Sequence, residues 1–207
     1  MEERIDRQMS FLTEADRLKS VLRATTLADG SRQENSGEHS WHLALYAWIL
    51  CEHAIEEVSL DRVIRMLLIH GLVEIDAGDV PLFGTVDAAA IAADEQAAAE
   101  RIFGLLPGDQ AQELRSLWEE FEGAQSPDAV FAKSLDRFQP PNQNLASGGG
   151  SWLTYNVNPD QIQAKVGVKV ERGAPRLWAW MRPKIDAFFA KRSARQRPGT
   201  GLDAEGG

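Results

Sequence analysis

The residues best suited to chemistry are histidines and acids near the start of the chain. The histidines are His39, His42, His53 and His70, and the acids that follow the last of them are Glu74, Asp76 and Asp79. A buried helix that ends in a histidine and leads into acids brings metal ligands and acid–base groups to one place. The same pattern also fits a core histidine bonded to a backbone carbonyl, followed by a solvated acidic loop. His53, beside Glu52 near a helix end, is predicted to be an ordinary surface residue.

Three separated segments narrow these alternatives. They read Arg32-Gln-Glu-Asn-Ser-Gly-Glu-His39, His70-Gly-Leu-Val-Glu-Ile-Asp-Ala-Gly-Asp79 and Lys133-Ser-Leu-Asp136. In this order and at this spacing they resemble the HD-domain family of metal-dependent phosphohydrolases, most closely its 5′-deoxynucleotidase branch. The resemblance covers roughly residues 10 to 190, and it implies a compact, single-domain helical fold.

The resemblance implies one divalent metal ion, for which Mn, Co, Mg, Ni, Fe and Zn are all candidates. His39, His70 and Asp136 match the positions that bind the ion in this family. The family also uses the residue after the second histidine, an aspartate, but this chain has Gly71 there. Two imidazoles and one carboxylate still make a three-ligand set of the kind that catalytic metal sites use.

The resemblance also assigns roles around the metal. Glu74 and Asp79 match the catalytic acids, and Asp79 also matches a residue that contacts the sugar of the substrate. Arg23 matches an arginine that binds the phosphate, for which a planar guanidinium has suitable geometry; otherwise it is a surface charge at a helix end. Arg32 and Glu38 are expected to support the entrance and His39.

The implied activity is hydrolysis of nucleoside 5′-monophosphates to nucleoside and phosphate, weakened or abolished by Gly71. The alternative is a catalytically degenerate or engineered inactive HD domain that binds a nucleotide or a protein partner without turnover. A weaker alternative is an HD-fold oxygenase, which would need further histidines for a second metal ion. His42 and His53 do not match those positions.

The elements that must position these residues are predicted to be helices, because apolar residues recur every three to four positions and alternation is nearly absent. The fold class is therefore all-α. The resemblance implies an HD-type domain over 1–193, and the content of Gly and charged residues predicts a disordered tail over 194–207. One helix is predicted over 3–22 and another from near Ser36, with Glu38 in its first turn. Further predictions are a loop over 75–85, a short helix from Pro127, and a mobile loop over 139–150.

The tryptophans raise the question of base stacking. Trp41 and Trp48 are seven positions apart in one predicted helix, which favours packing in the core. Trp152 follows a run of three glycines and is a candidate for a loop residue that covers a substrate base. Lys133, one turn before Asp136, is predicted to face either the phosphate or solvent.

Composition limits the partners. The 207 residues include 22 Lys and Arg against 31 Asp and Glu, a net charge of −9, which disfavours binding to nucleic acid polymers and to acidic membranes. A single cysteine, Cys51, and no signal-like or membrane-spanning segment indicate a cytoplasmic protein. The expected ligand is a small phosphate ester. A homodimer is also expected from the resemblance, with the Ala-rich helix near residues 88–100 as its contact.

Overall fold

A computed structural model describes residues 3–85 and 87–196 of the chain, and most of them are helical. The α-helices are α1 (Arg4–Asp16), α2 (Ser36–Leu50), α3 (Leu60–Ile69), α4 (Glu74–Ala77), α5 (Ala88–Phe103), α6 (Gly108–Gly123), α7 (Pro127–Ala146), α8 (Gly150–Thr154), α9 (Pro159–Ile162), α10 (Val168–Gly173) and α11 (Pro175–Gln196). Short 3-10 turns cover Arg17–Ser20, Cys51–His53 and His70–Val73, and a π-helical turn covers Gln163–Gly167. The all-α prediction is confirmed.

A small antiparallel hairpin interrupts the helices near the site. Strand β1 (Leu22–Thr26) pairs with β2 (Gln33–Asn35), with an irregular register between the paired ends. The prediction of one helix over 3–22 is therefore wrong, because the helix ends at Asp16 and Arg23 lies on a strand. The reason is visible in the burial pattern, in which the polar Arg23 and Thr25 face inward while Leu22 is exposed.

Helix α2 begins where the sequence predicted, and its start is held by a capping box. The Asn35 side chain accepts a hydrogen bond from the Glu38 N–H at 2.9 Å, and the Glu38 carboxylate accepts one from the Asn35 N–H at 3.1 Å. These two bonds satisfy N–H groups that a helix start leaves unpaired. The cap fixes the first turn of α2 and so the position of His39 in the following turn.

Two hydrophobic clusters surround the site. The larger cluster joins α2, α3, α7, α10 and α11, and it includes Leu43, Met66, Leu135 and Met181. The smaller joins α1, α5 and α6 through residues such as Phe11 and Phe103. Within the described residues, no helix combines the length and the apolar composition needed to cross a bilayer.

Helix α7 corrects another prediction. The expected short helix and mobile loop are one continuous helix from Pro127 to Ala146, with Pro140 and Pro141 inside it. Buried side chains anchor this stretch: Gln139 and Gln143 each donate to Glu34 at 2.9 Å. The tertiary contacts outweigh the helix-breaking tendency of proline.

The last helix, α11, extends to Gln196, beyond the predicted domain end at 193. The rest of the predicted tail, residues 197–207, lies outside the described residues.

Candidate metal centre

Three side chains from distant parts of the chain meet in the interior. His39 comes from α2, His70 from the 3-10 turn after α3, and Asp136 from the middle of α7. All three are buried, and one ligand atom from each lies within 4.8 Å of the others. His39 Nε2 lies 3.1 Å and His70 Nε2 lies 3.8 Å from Asp136 Oδ1. The structure therefore brings together the three residues predicted to bind a metal ion.

The ring of His70 is oriented for metal binding. Its Nδ1 lies 2.8 Å from the Leu67 carbonyl oxygen, and because that oxygen can only accept, Nδ1 carries the hydrogen. This leaves the lone pair on Nε2, the atom that faces Asp136. Burial lowers the pKa of His70 to about 3, so the imidazole is neutral at neutral pH, the form that a metal ion requires.

Glu34 supports His39 and was missed by the sequence reasoning. Its Oε2 lies 3.4 Å from His39 Nδ1, while its Oε1 accepts hydrogen bonds from Gln139 and Gln143. A carboxylate behind a metal-binding imidazole fixes the ring and raises its basicity. The signal was present, because Glu34 lies just before the cap residue Asn35 in the first segment of the family pattern.

Asp136 is fully buried but stays ionised. Burial opposes the charged form, but the positive charge of Arg137 and a hydrogen bond with His39 lower the pKa of Asp136 well below its ordinary value. An anionic oxygen between two imidazole nitrogens is a donor set that suits a divalent transition-metal ion. The residues present therefore fit the ion that the family pattern implies.

Gly71 lies beside this donor set at a position that can accept a Cβ without a clash. A Cβ built at Gly71 would lie 3.6 Å from Ser40 Oγ and 3.7 Å from the Glu74 carboxylate, which is ordinary contact distance. Ser40 is buried, and its hydroxyl has no hydrogen-bond partner among the described residues. Neither neighbouring acid supplies the absent ligand, because Glu74 accepts from Ser36 and Asp76 pairs with Arg101 at 2.5 Å. The first side-chain atom of an aspartate at position 71 would therefore fit without a clash.

Arg23 gathers the predicted catalytic acids next to the three ligands. Its Nη1 lies 3.1 Å from Asp79 and 3.4 Å from Glu74, and its Nε lies 3.7 Å from Glu34. Asp79 also accepts from the Ala24 N–H at 3.3 Å, which joins the loop after α4 to β1. Arg23 is buried, so the prediction of a surface charge at a helix end does not describe it.

Glu74, one of the two acids beside Arg23, has a largely buried side chain. Burial raises the pKa of Glu74, although Arg23 and the Ser36 hydroxyl, which donates to the carboxylate, act in the opposite direction. Arg23, Glu74 and Asp79 line one cavity of about 170 Å³ together with His70 and Asp136. A cavity with a cation, a proton-exchanging acid and a metal donor set can bind and cleave a small anionic ester.

Several predicted supporting residues lie elsewhere or act differently. Arg32 and Glu38 pair with each other at 2.5 Å on the surface, and Glu34 takes the place beside His39 that was expected for them. Lys133 lines the cavity, yet its ammonium pairs with Glu122 at 2.8 Å and lies over the Phe121 ring. Trp152 also lines the cavity, but it is fully buried and packs against Phe188 and Phe189, so it is no mobile cover.

The remaining histidines lie outside the site. His42 and His53 line a separate groove between α2 and α11, and His42 Nδ1 lies 3.3 Å from Gln139 Nε2. Among the described residues, His39, His70 and Asp136 form the one group of three such side chains that could hold an ion. The histidines needed for a second metal ion are therefore not in place, which disfavours the oxygenase alternative.

The chain is similar to a curated 5′-deoxynucleotidase and to a solved structure of a predicted metal-dependent phosphohydrolase. It is 30% identical to human 5′-deoxynucleotidase HDDC2 over 130 residues, 62% of each protein, so it spans about 62% of the length of this curated relative. It is 45% identical to a protein described as a predicted metal-dependent phosphohydrolase from Magnetospirillum magnetotacticum MS-1, with a TM-score of 0.83 and coverage of 92% of this chain and 98% of the other.

A further structure shows only a shared fold. A conserved hypothetical protein from Pyrococcus furiosus has a TM-score of 0.51 at 19% identity, with coverage of 79% of this chain and 99% of that chain. The family model described as "HD domain" matches residues 15–178, a range that contains all three ligand residues and the Arg23 cluster. The chain therefore belongs to the HD domain family.

Proposed function

We propose that this protein is a metal-dependent phosphomonoesterase that hydrolyses nucleoside 5′-monophosphates to nucleoside and phosphate. The observation that carries the proposal is one cavity in which His70 and Asp136, two members of the donor set completed by His39, lie beside Arg23, Glu74 and Asp79. Support also comes from the similarity to 5′-deoxynucleotidase HDDC2 and to the Magnetospirillum phosphohydrolase.

The ligand residues have a defined part in this proposal. His39, His70 and Asp136 would hold a divalent ion, while Glu34 keeps the His39 ring in place. When bound, the ion supplies Lewis acidity toward the phosphate and makes water a better nucleophile near neutral pH. The identity of the ion is left open among Mn, Co, Mg, Ni, Fe and Zn.

The chain's own residues bind the ester and move the proton. Arg23 neutralises the phosphate, and its contacts with Glu74 and Asp79 hold the guanidinium at the cavity wall. Water attacks phosphorus, the bond from phosphorus to the 5′-oxygen breaks, and that oxygen takes up a proton. Glu74 is the proposed acid–base group, because its carboxyl lines the cavity and burial raises its pKa, which favours the protonated form that an acid catalyst needs. Asp79, beside it, is proposed to contact the sugar as well as the proton path.

The substrate class follows from size and charge. A cavity of about 170 Å³ suits a small phosphate ester, and a net charge of −9 disfavours nucleic acid polymers and anionic membranes. We further propose that the protein acts in the cytoplasm, as the single cysteine suggests, and that it is a homodimer.

Gly71 supports a second candidate function. With one carboxylate fewer, the domain would bind a nucleotide or a partner without turning it over. Because a Cβ at Gly71 makes only ordinary contacts, a single substitution can test this difference.

The experiment compares wild type, Gly71→Asp and Gly71→Asn. Metal content after purification and phosphate release from a panel of nucleoside 5′-monophosphates are measured for each. Gly71→Asn matches the volume of aspartate without its charge, so it controls for filling the space. Metal binding and phosphate release by the wild type at a rate near that of Gly71→Asp support the phosphomonoesterase. Turnover by Gly71→Asp alone, with a metal-poor and inactive wild type, would show that the present chain is a catalytically degenerate or engineered inactive HD domain.

A further inference from the structure

Helix α2 carries its tryptophans on the outside. Trp41, Leu45, Trp48 and Ile49 are spaced as one helix face and are between 40% and 67% exposed. Trp180 of α11, 51% exposed, extends this surface, and these five residues are called the tryptophan face. The prediction that Trp41 and Trp48 pack in the core is wrong, because α2 turns His39, Ser40, Leu43 and Ala47 inward.

The tryptophan face continues into an apolar groove. The groove lies between α2 and α11, has a volume of about 540 Å³, and is lined mainly by apolar side chains such as Tyr46, Phe138 and Leu177. Leu45, Ile49 and Trp180 of the tryptophan face line the groove themselves, so face and groove form one apolar surface, and a two-fold contact can cover it because each copy presents the same patch to the other.

The charge pattern fits contact with a second copy. From His39 to Leu50 the chain has no Asp, Glu, Lys or Arg, although the whole protein carries a net charge of −9. A contact surface without acids adds no local repulsion to that of the two net charges, and the charged groups at this surface, Lys184 over the Trp180 ring and Arg176 in the groove, are cations. Interface cores are depleted of charged residues and enriched in aromatic ones, as this face is.

The exposed apolar area of the tryptophan face is large enough for a stable dimer interface. If a fully exposed large apolar side chain presents about 200 Å², the five residues present on the order of 600 Å² per copy. Two copies then bury about 1,200 Å² from these side chains alone, the lower bound for a stable interface. The chain's own terminal segment 197–207 cannot cover such an area, because Leu202 is its one large apolar residue.

We infer that the tryptophan face is the interface of a two-fold homodimer of this chain. It replaces the Ala-rich helix α5 as the contact surface, and it gives the proposed homodimer a defined geometry. Because α2 also carries His39 on its inner side, one helix contributes to both the dimer contact and the candidate metal centre.

The test is the mass of the full-length protein in solution by sedimentation equilibrium, with and without Mn²⁺. Wild type is expected at twice the chain mass of 22.9 kDa. Trp48→Glu and Ile49→Glu are each expected to raise the dimer dissociation constant at least about 100-fold, because each places two buried, unpaired charges in the contact. Val168→Glu, on an exposed apolar residue of α10, is the matched control and should leave the dimer intact.

Further measurements separate the possible results. Circular dichroism and melting of each variant confirm folding, which an exposed position should preserve. A monomeric wild type at 100 µM or more overturns the inference, as does a dimer that survives Trp48→Glu. Dissociation by Ala93→Glu of α5, but not by Trp48→Glu, would assign the contact to the Ala-rich helix instead. Association with anionic vesicles by a monomeric wild type would assign the face to a membrane. Since phosphate release is assayed separately, failure of the dimer leaves the proposed enzyme untouched.

Discussion

At the scale of single residues, the candidate metal centre depends on how its ligands are held. Each histidine uses one nitrogen toward Asp136 and the other toward an acceptor, Leu67 O for His70 and Glu34 for His39. The Leu67 carbonyl fixes which nitrogen of His70 is free, and the Glu34 carboxylate behind His39 helps to hold that ring in place. The affinity for metal should therefore respond to residues that never touch the ion.

Glu34→Gln is expected to lower metal affinity about 10- to 100-fold, because a neutral amide holds and polarises the His39 ring less well. Isothermal titration with Mn²⁺ measures the change. Glu38→Gln is the matched control, because it removes the surface pairing with Arg32 while the glutamine oxygen can still accept the capping bond from the Asn35 N–H, and it should change affinity less than about threefold. Equal losses in the two variants would contradict the role given to Glu34.

Glu74→Gln is expected to stabilise the fold while it removes activity. Burial raises the pKa of Glu74 above its ordinary value, so the folded state binds its proton more tightly than the unfolded state does. Stability from this group is therefore present below the unfolded pKa and is lost as the pH rises through the folded pKa. At pH 7 the variant should have the higher free energy of unfolding, and the difference should shrink toward pH 4.

Urea denaturation of both proteins at several pH values measures this effect. A variant that is less stable than wild type at pH 7 would show that the contacts of the carboxylate with Ser36 and Arg23 outweigh its burial.

At the scale of elements, the position of Asp136 depends on close packing between α7 and α10. A Cβ at Gly173 would collide with Ser134 Oγ and would lie 2.7 Å from the Val130 carbonyl oxygen, both on α7. Backbone atoms of a packed helix cannot yield to such a contact without moving the helix. Gly173 therefore sets how near α10 approaches the helix that carries Asp136.

Gly173→Ala is expected to lower the free energy of unfolding by about 2 kcal/mol through overpacking. Gly123→Ala is the control, because Gly123 also ends a helix and a Cβ there meets nothing within 4 Å. The control should be neutral or stabilising by up to about 1 kcal/mol. Chemical denaturation measures both, and similar losses in the two variants would contradict the packing argument.

The sequence correctly predicted elements marked by local capping residues or by buried apolar residues. It missed elements whose inward side chains are polar or whose apolar side chains are exposed. The start of α2 was predictable because capping residues act locally. Strand β1 was not, because its inward residues, Arg23 and Thr25, are polar and face the cavity, so apolar alternation is absent. Periodicity placed Trp41 and Trp48 on one helix face, but it does not state which face the other helices cover.

The residues that meet in the candidate site were easier to predict from the sequence than the boundaries of the helices around them. His39, His70 and Asp136 were identified by three segments in order, a pattern that survives errors in helix boundaries. Glu34 stands in the first of these segments but was missed, because its contact with His39 depends on the hairpin, which the apolar periodicity did not indicate. The anchoring of Pro140 and Pro141 within α7 likewise depends on distant buried partners of Gln139 and Gln143.

At the scale of the whole molecule, metal binding and folding should be linked. The three ligands come from three elements that meet only in the folded chain, so an ion bound there stabilises the folded state alone. The same ion would offset the acidic excess of the protein where an anionic substrate must enter.

Mn²⁺ at about 100 times its dissociation constant is expected to stabilise the protein by about 2.7 kcal/mol. For a protein of this size that is a rise in melting temperature of roughly 5–10 °C. Differential scanning calorimetry measures the rise, and excess EDTA should reverse it. Asp136→Asn should show no rise, and an equal rise in that variant would place the ion elsewhere.

The positions of the candidate ligands along the chain also determine when, during translation, all three have been synthesised. His39 and Asp136 lie 97 positions apart, and Asp136 follows His70 by 66 residues (136 minus 70). At about 5–20 residues per second, a ribosome needs roughly 3 to 13 seconds to make the chain between the second histidine and the aspartate. During that interval the nascent chain presents two imidazoles without their carboxylate. The candidate donor set is therefore complete only after α7 has emerged and docked, late in the synthesis of the protein.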